Sequence, residues 1–273
     1  MLIPSPLSFY LGACKTARGT ALRSVGGVAS AISFSLLATL SWTPPSLAQV
    51  QTDAAGLSSV TFNAPPLPPG QGAPTGRRDG GASRGNCPEY GDLAALVPIT
   101  AGRVWGKTTA AQPTLWFYLP AAISPEIPIE LIVQDAEDDI LYETSLAVAV
   151  ETGTIAIALP ETVTLPVGEP HYWTMALFCD PERPASSVFV NGTIERVSVG
   201  GLAPLTADTE RSLSQAQVYA EAGIWHDALT ILAERQRTNI SDSKSQTAWA
   251  ALLEQVGLAQ AATQPVQACC EVE

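Results

Sequence analysis

The stretch PTLWFYLP, residues 113–120, decides how this chain folds. Its aromatic content and bracketing prolines mark a short strand. Alternate side chains of a strand leave opposite faces, so Leu115, Phe117 and Leu119 point one way and Trp116 and Tyr118 the other. Both faces are apolar. A strand with one face in water alternates apolar and polar residues, as the neighbouring IPIELIVQD does: Ile127, Ile129, Leu131 and Val133 oppose Pro128, Glu130 and Gln134, with Ile132 the exception. PTLWFYLP therefore needs a cover on its second face. HYWTMALFCD, residues 171–180, makes the same demand, setting Trp173, Met175, Leu177 and Cys179 against Tyr172, Ala176 and Phe178.

Working outward, GRVWGKT, PTLWFYLP, IPIELIVQD, ILYETSLAVAV, TIAIALP, HYWTMALFCD and SVFVNGTIERVSV recur between about residues 95 and 200, separated by Pro, Gly or acidic turns. Seven runs at that spacing predict an immunoglobulin-like antiparallel β-sandwich over residues 87–203. In LPVGEPHYW, residues 165–173, a Pro and a Gly precede a tyrosine that opens a strand, the pattern of a tyrosine corner. Tyr172 would then fix that turn through its hydroxyl, or else be a plain buried tyrosine.

The cover comes from the chain that follows. Over 204–260 the period becomes helical: Leu213, Ala216 and Ala220, then Ile224, Ala228, Ile231 and Leu232, then Trp249, Leu252, Leu253 and Val256. Gly223 and Gly257 stand where caps or breaks belong. YAEAGIWHDAL, residues 219–229, resembles the middle of a tetratricopeptide repeat, but there is room for one and a half units where a free array needs about three. A helical hairpin or three-helix segment docked on the sandwich is predicted, with a flexible acidic tail over 261–273.

The first 48 residues carry Lys15, Arg18 and Arg23, no acid, a long apolar run and a small-residue ending at Ala48. This is the layout of a cleaved secretory signal; an uncleaved anchor, or a lipoprotein using Cys14, are the alternatives. Residues 49–86 follow as a linker, since 11 of the 24 residues from Phe62 to Gly85 are Pro or Gly, a composition that buries too little to offset chain entropy. Removing the signal changes 14 basic and 26 acidic residues to 11 and 26, a net charge of about −15. Such a surface repels phosphate backbones and anionic lipid, which argues against nucleic acid and against stable membrane insertion after cleavage.

Export places thiols where they oxidise, so Cys87 and Cys179 are free to pair. Cys269 and Cys270 sit near an acidic end. Adjacent cysteines rarely bond each other without strain, which leaves a frayed tail or a link to another chain. His171 and His226 are the only histidines, and neither sits in a nucleophile arrangement. His171 reads as an exposed polar residue, and Asp227 beside His226 as an acid favouring a helix N-terminus. QDAEDD, residues 134–139, reads as a solvated hairpin loop that lacks the spaced ligands of a calcium loop. No cofactor, metal or catalytic residue is predicted. Trp116, Tyr118 and Trp225 would form a sugar- or peptide-binding surface if exposed, or the seam between sandwich and helices.

GRRDGGASRGNC, PTLWFYLP, the LP before a YW strand, LFCDP, NGTIERV and YAEAGIWHDAL ending in WAALLEQVGL occur in that order along the chain. Together they resemble the cyanobacterial domain of unknown function 928 family over nearly all of the region after the leader. The resemblance implies an exported cyanobacterial protein with no assigned activity. It further implies that the end of the linker is ordered by a Cys87–Cys179 bridge beside Asp180, with Arg84 pairing with a carboxylate and Arg77 and Arg78 left in solvent. The resulting expectation is a non-catalytic interaction module of the periplasm or envelope whose partner is a protein or a cell-wall glycan. A hydrolase or metal-dependent enzyme, and a structural envelope component, are the alternatives.

Overall fold

The seven short runs all form strands, preceded by a 3-10 turn at Pro88–Tyr90 and two two-residue strands. In chain order these are β1 (Ala94–Ala95), β2 (Ile99–Thr100), β3 (Arg103–Thr108), β4 (Thr114–Leu119), β5 (Ile129–Gln134), β6 (Ile140–Leu146), β7 (Gly153–Ala158), β8 (Pro170–Phe178) and β9 (Ser187–Arg196). Four helices follow: α1 (Leu213–Glu221), α2 (Trp225–Thr238), α3 (Ser243–Gln255) and α4 (Ala259–Ala262). The computed structural model describes residues 60–67, 76–80, 87–180, 186–198, 200–205 and 212–270, all within the unit Thr52–Glu273. The predicted leader and Arg84 lie outside the described residues.

The chain is mainly β, with two sheets and a few C-terminal helices. One sheet has three strands in the order β1-β4-β7, the other six in the order β2-β3-β9-β8-β5-β6. The expectation of an all-antiparallel arrangement needs one correction, because β3 runs parallel to β9. Their crossover is long enough to contain five other strands, as a parallel pair requires. Inward-facing Leu115, Phe117 and Leu119 of β4 and Ile155 and Ile157 of β7 share one core with Ile129, Leu131 and Val133, Trp173, Met175 and Leu177, and Val188 and Val190. Within it the Phe117 and Trp173 rings meet edge to face, 5.8 Å between centroids.

The second face of β4 is covered. Trp116 and Tyr118 belong to a separate buried cluster with Trp225, Leu229, Ile231 and Leu232 of α2 and Trp249, Leu252 and Leu253 of α3. The indole of Trp116 donates to Thr230 Oγ1 at 3.0 Å, and that of Trp225 to the Leu96 carbonyl at 2.7 Å. Both buried rings thus keep a hydrogen bond for their polar edge. On β8 the expectation of a cover fails: Tyr172 is 38% exposed and Phe178 half-buried. The helices cover the outer face of the three-stranded sheet, apolar in both β4 and β7 where Ala156 joins the same cluster, and α2 also packs on β3 of the six-stranded sheet.

Local chemistry sets the helix ends. Ser212 caps α1 by accepting from Gln215 N at 3.1 Å. Asp242 caps α3 and holds Arg235 of α2 at 2.6 Å. Gly223 and Gly257 adopt φ of 75° and 76° directly after α1 and α3, where a side chain would be disfavoured.

Both chain ends depart from expectation. Within the predicted linker, Val60 is buried and Phe62 packs edge-on to Trp225 at 4.9 Å. Asn63 N donates to the Ala220 carbonyl at 3.1 Å and its side chain to that of Glu221 at 3.0 Å, satisfying the open end of α1. Residues 76–80 pair with β9 at Asn191 and β1 at Ala94. Composition averaged over the Pro/Gly run hides these few anchoring side chains. The tail is likewise not free: Ala261 is buried and Val266 bridges in parallel to Thr154 of β7.

Candidate functional site

Trp116, Tyr118 and Trp225 come together in the boundary between the three-stranded sheet and α2, all under 9% exposed. Buried there, the three rings offer no stacking platform for a sugar. Cys87 and Cys179 are bonded, with Cα atoms 5.9 Å apart, and tie the 3-10 turn to the end of β8, where Asp180 follows. Tyr172 is not a buried corner residue. It lies mid-sheet opposite Gln134 and Thr193, with its side chain on the outer face and no hydrogen bond to its hydroxyl among the described residues.

Arg77 is exposed, as expected, and Arg78 is not. The Arg77 guanidinium lies 4.7 Å from the centroid of Phe189, a cation over an aromatic face. Arg78 is nearly buried, its Nη1 donating to the Val256 carbonyl at 2.5 Å. A cation at that point complements the negative end of α3.

The junction between α2 and the end of β3 gathers the buried polar residues Thr108, Thr109, His226, Asp227 and Thr230. Asp227, in the first turn of α2, is fully buried. It accepts from Thr108 Oγ1 at 2.7 Å, from Thr109 N at 3.1 Å and from the Thr109 hydroxyl. Burial raises its pKa to about 6 against the lowering pull of those donors. His226 is also buried, and neither ring nitrogen has a hydrogen-bond partner. Its burial lowers the imidazole pKa to about 3. A Cβ on Gly106 would sit 2.7 Å from His226 Nε2, so glycine is what lets β3 pass the ring.

Thr108, His226 and Asp227 line a cleft of about 630 Å³ with Thr230, Arg196, Gln112 and Glu161. The cleft gathers one histidine and two acids. Their bonding is not that of a catalytic pair, however: Asp227 spends its oxygens on Thr108 and Thr109, so it does not orient His226. Arg196 donates to the Leu165 carbonyl at 2.9 Å, pinning the far wall. Asp227 joins helix to sheet across 119 positions of sequence, more than the dipole role read from its place in the helix.

The two groups act oppositely on stability as pH falls. His226, with a folded pKa below its ordinary 6.5, makes the fold lose stability as pH falls from there toward about 3. Asp227, with a folded pKa above its ordinary 3.8, makes it gain between about 6 and 3.8. Each contribution runs at about 1.4 kcal/mol per pH unit between the two pKa values, and the two have opposite signs. Urea unfolding of the parent chain and of His226→Leu at pH 7 and pH 3 is expected to show a smaller loss of stability on acidification in the variant.

His171 is a further correction: it is buried, with both nitrogens unpartnered and its pKa lowered by burial, not an exposed polar residue. Its parity could have shown this, since positions 171, 173, 175 and 177 share the inner face of β8. In the loop after β5, the Asp135 carboxylate accepts from Glu137 N at 3.0 Å and Asp139 N at 2.9 Å, bracing the turn internally. Among the described residues no three His, Cys, Asp or Glu side chains are grouped to hold a metal ion, and no helix is long and apolar enough to cross a membrane.

The six-stranded sheet ends at β6, whose outer edge has no neighbouring strand among the described residues. Ile140 and Leu141 are 56% and 37% exposed there. Edge strands of this length are commonly blunted by lysine or proline; β6, ILYETSL, has neither.

No curated protein and no solved structure matches the chain. The family model described as Domain of Unknown Function (DUF928) matches residues 79–266, from the segment beside Arg78 through the tail strand. That match spans both sheets and all four helices, and the chain belongs to this family.

Proposed function

We propose that the protein is an exported interaction module of a cyanobacterial envelope, which takes an extended segment of a partner protein along the edge of β6. Export is supported by the composition of residues 1–48 and by the Cys87–Cys179 bond, which suits an oxidising compartment. An immunoglobulin-like sandwich with a docked helical hairpin is the finer architecture we assign. The observation that carries the binding reading is the unpaired seven-residue edge of β6, with Ile140 and Leu141 exposed at its start. Main-chain bonds to such an edge supply affinity, and side-chain contacts supply choice. Asp135, Glu137, Asp138 and Asp139 crowd the hairpin at one end of β6, and Glu143 lies along it, so the favoured segment is cationic.

Ile140→Lys/Leu141→Lys tests this, because both side chains are already exposed and the fold should tolerate the change. Affinity capture from an envelope extract is expected to recover a basic protein with the parent chain. Binding of that protein to the variant should be weaker by about tenfold or more, given roughly 25 cal/mol for each Å² of apolar area kept from water. Equal binding to the variant, no reproducible recovery, or displacement by isolated wall glycan would each reject the reading.

A further inference from the structure

We propose that the groove between α3 and the C-terminal tail is a second docking site, which takes an uncharged, proline-bearing extended segment of a partner protein. This site is separate from the β6 edge, and its reading does not depend on that one.

The groove owes its shape to the way the tail is seated. Thr154 N donates to the Pro265 carbonyl, and Gln267 N to the Thr154 carbonyl, each at 2.8 Å. The Gln267 side chain adds a bond to the Thr152 carbonyl at 2.8 Å. At Gly153, where φ is 147°, any Cβ would collide with the Pro265 carbonyl, so glycine is what lets the tail lie this close. The tail thereby covers β7 and becomes the new edge of the three-stranded sheet. Backbone groups of successive residues in a strand face opposite sides. Pro265 and Gln267 turn theirs toward β7, so the N–H and C=O of Val266 face away from it, and neither has a partner among the described residues. An edge fixed in this way, with a free donor and a free acceptor on one residue, can pair with an extended chain.

The walls set the chemistry of that chain. The groove holds about 510 Å³ and is lined by Gln236 near the end of α2, Ile240 in the turn after it, Trp249 and Ala250 of α3, and Pro265 and Val266 of the tail. Ile240 is 75% exposed and offers an apolar contact. None of the described residues that line the groove is charged, in a chain with 26 acidic and 14 basic residues. An ionic side chain entering it would lose water and meet no opposite charge, so the occupant is uncharged.

Two side-chain donors of the walls also lack an acceptor, the amide nitrogen of Gln236 and the indole nitrogen of Trp249. Gln236 is half-buried, and rotation of its flexible side chain brings the amide to a bound carbonyl. Donors therefore outnumber the Val266 carbonyl. Proline matches that imbalance, because it supplies a carbonyl and no N–H, while its neighbours keep an N–H for Val266. A neutral sugar is the other uncharged, oxygen-rich occupant. It fits less well, since Trp249 is 2% exposed and presents no ring face for stacking.

The test uses the full chain and a capped decapeptide alternating alanine and proline, with glutamate–proline and lysine–proline counterparts, at high salt to screen the acidic surface. The alanine–proline peptide should slow hydrogen exchange at the Val266 amide by about tenfold or more and move the NMR signals of the Gln236 side-chain amide. The charged peptides should bind more weakly by about tenfold or more. Ile240→Glu alters a side chain that is already exposed, so urea unfolding should match the parent while peptide affinity falls by about tenfold or more. Ile140→Lys/Leu141→Lys should bind the peptide as the parent does, which separates this site from β6. Unchanged exchange at Val266 with saturating peptide, equal binding of the charged peptides, or full affinity in Ile240→Glu would overturn the proposal. So would displacement of the peptide by a neutral glucan oligosaccharide, or protection of Val266 that grows with protein concentration when no peptide is present.

Discussion

Replacing both Cys87 and Cys179 by serine is expected to lower the stability of the protein by roughly 4 to 5 kcal/mol, read as the shift in urea-unfolding free energy. The magnitude follows from the 92-residue separation, which restricts a large loop of the unfolded chain. The double change is the informative one, because it removes the crosslink without leaving one buried thiol to react. The bond joins the turn that begins the β body to the last residues of β8, so its loss should also loosen residues 87–90 before the sheets themselves unfold. A shift below about 1 kcal/mol would mean that the unfolded chain is already compact around these positions.

Asp227→Ala should cost about 3 to 5 kcal/mol at pH 7, because it strands two buried hydroxyls and one buried N–H at roughly 1 to 3 kcal/mol each, partly offset by relief of a buried carboxylate. The stranded donors are Thr108 Oγ1, Thr109 N and the Thr109 hydroxyl, on the segment that leads from β3 toward β4. Asp227→Asn keeps one acceptor oxygen and should lose about half as much. A double-mutant cycle with Thr108→Val separates the bond from the packing: a coupling near zero would show that α2 is held by its apolar face alone.

Much of this architecture is legible in short-range pattern. Each of the seven strand runs is marked by its own β-branched and aromatic content between Pro, Gly or acidic turns, and the three helical runs by their own spacing, so neither needs knowledge of distant residues. The two-faced PTLWFYLP run already demands a cover, and the helices over Trp116 and Tyr118 provide it. The same argument applied to β8 fails at Tyr172 and Phe178, since the apolar content of a face does not say whether another element can reach it. His171 is a different kind of miss. Its parity with Trp173 places it inside, although a polar side chain beside Pro170 at a strand entrance reads as exposed.

The candidate site was less legible than the fold. Asp227 is visible as an acid in the first turn of a helix, and nothing nearby in sequence points to Thr108 and Thr109 as its donors. Arg78 and Val60 lie in or beside a stretch whose composition forbids a core of its own, yet each is anchored by a surface built from residues far along the chain. The neighbouring cysteines likewise show nothing in sequence of the β7 edge that receives their tail.

Taken alone, the order of residues determined the strands, the helices, the thiols available to pair and the face that had to be covered, because each follows from spacing within about ten positions. Tertiary structure alone decided that β3 runs parallel to β9, that the helices settle over β4 and β3, and that Asp227 and the tail are bound where they are. Those choices depend on which surfaces meet after loops of a hundred residues have closed, and pairing at that range leaves no periodic trace in the chain.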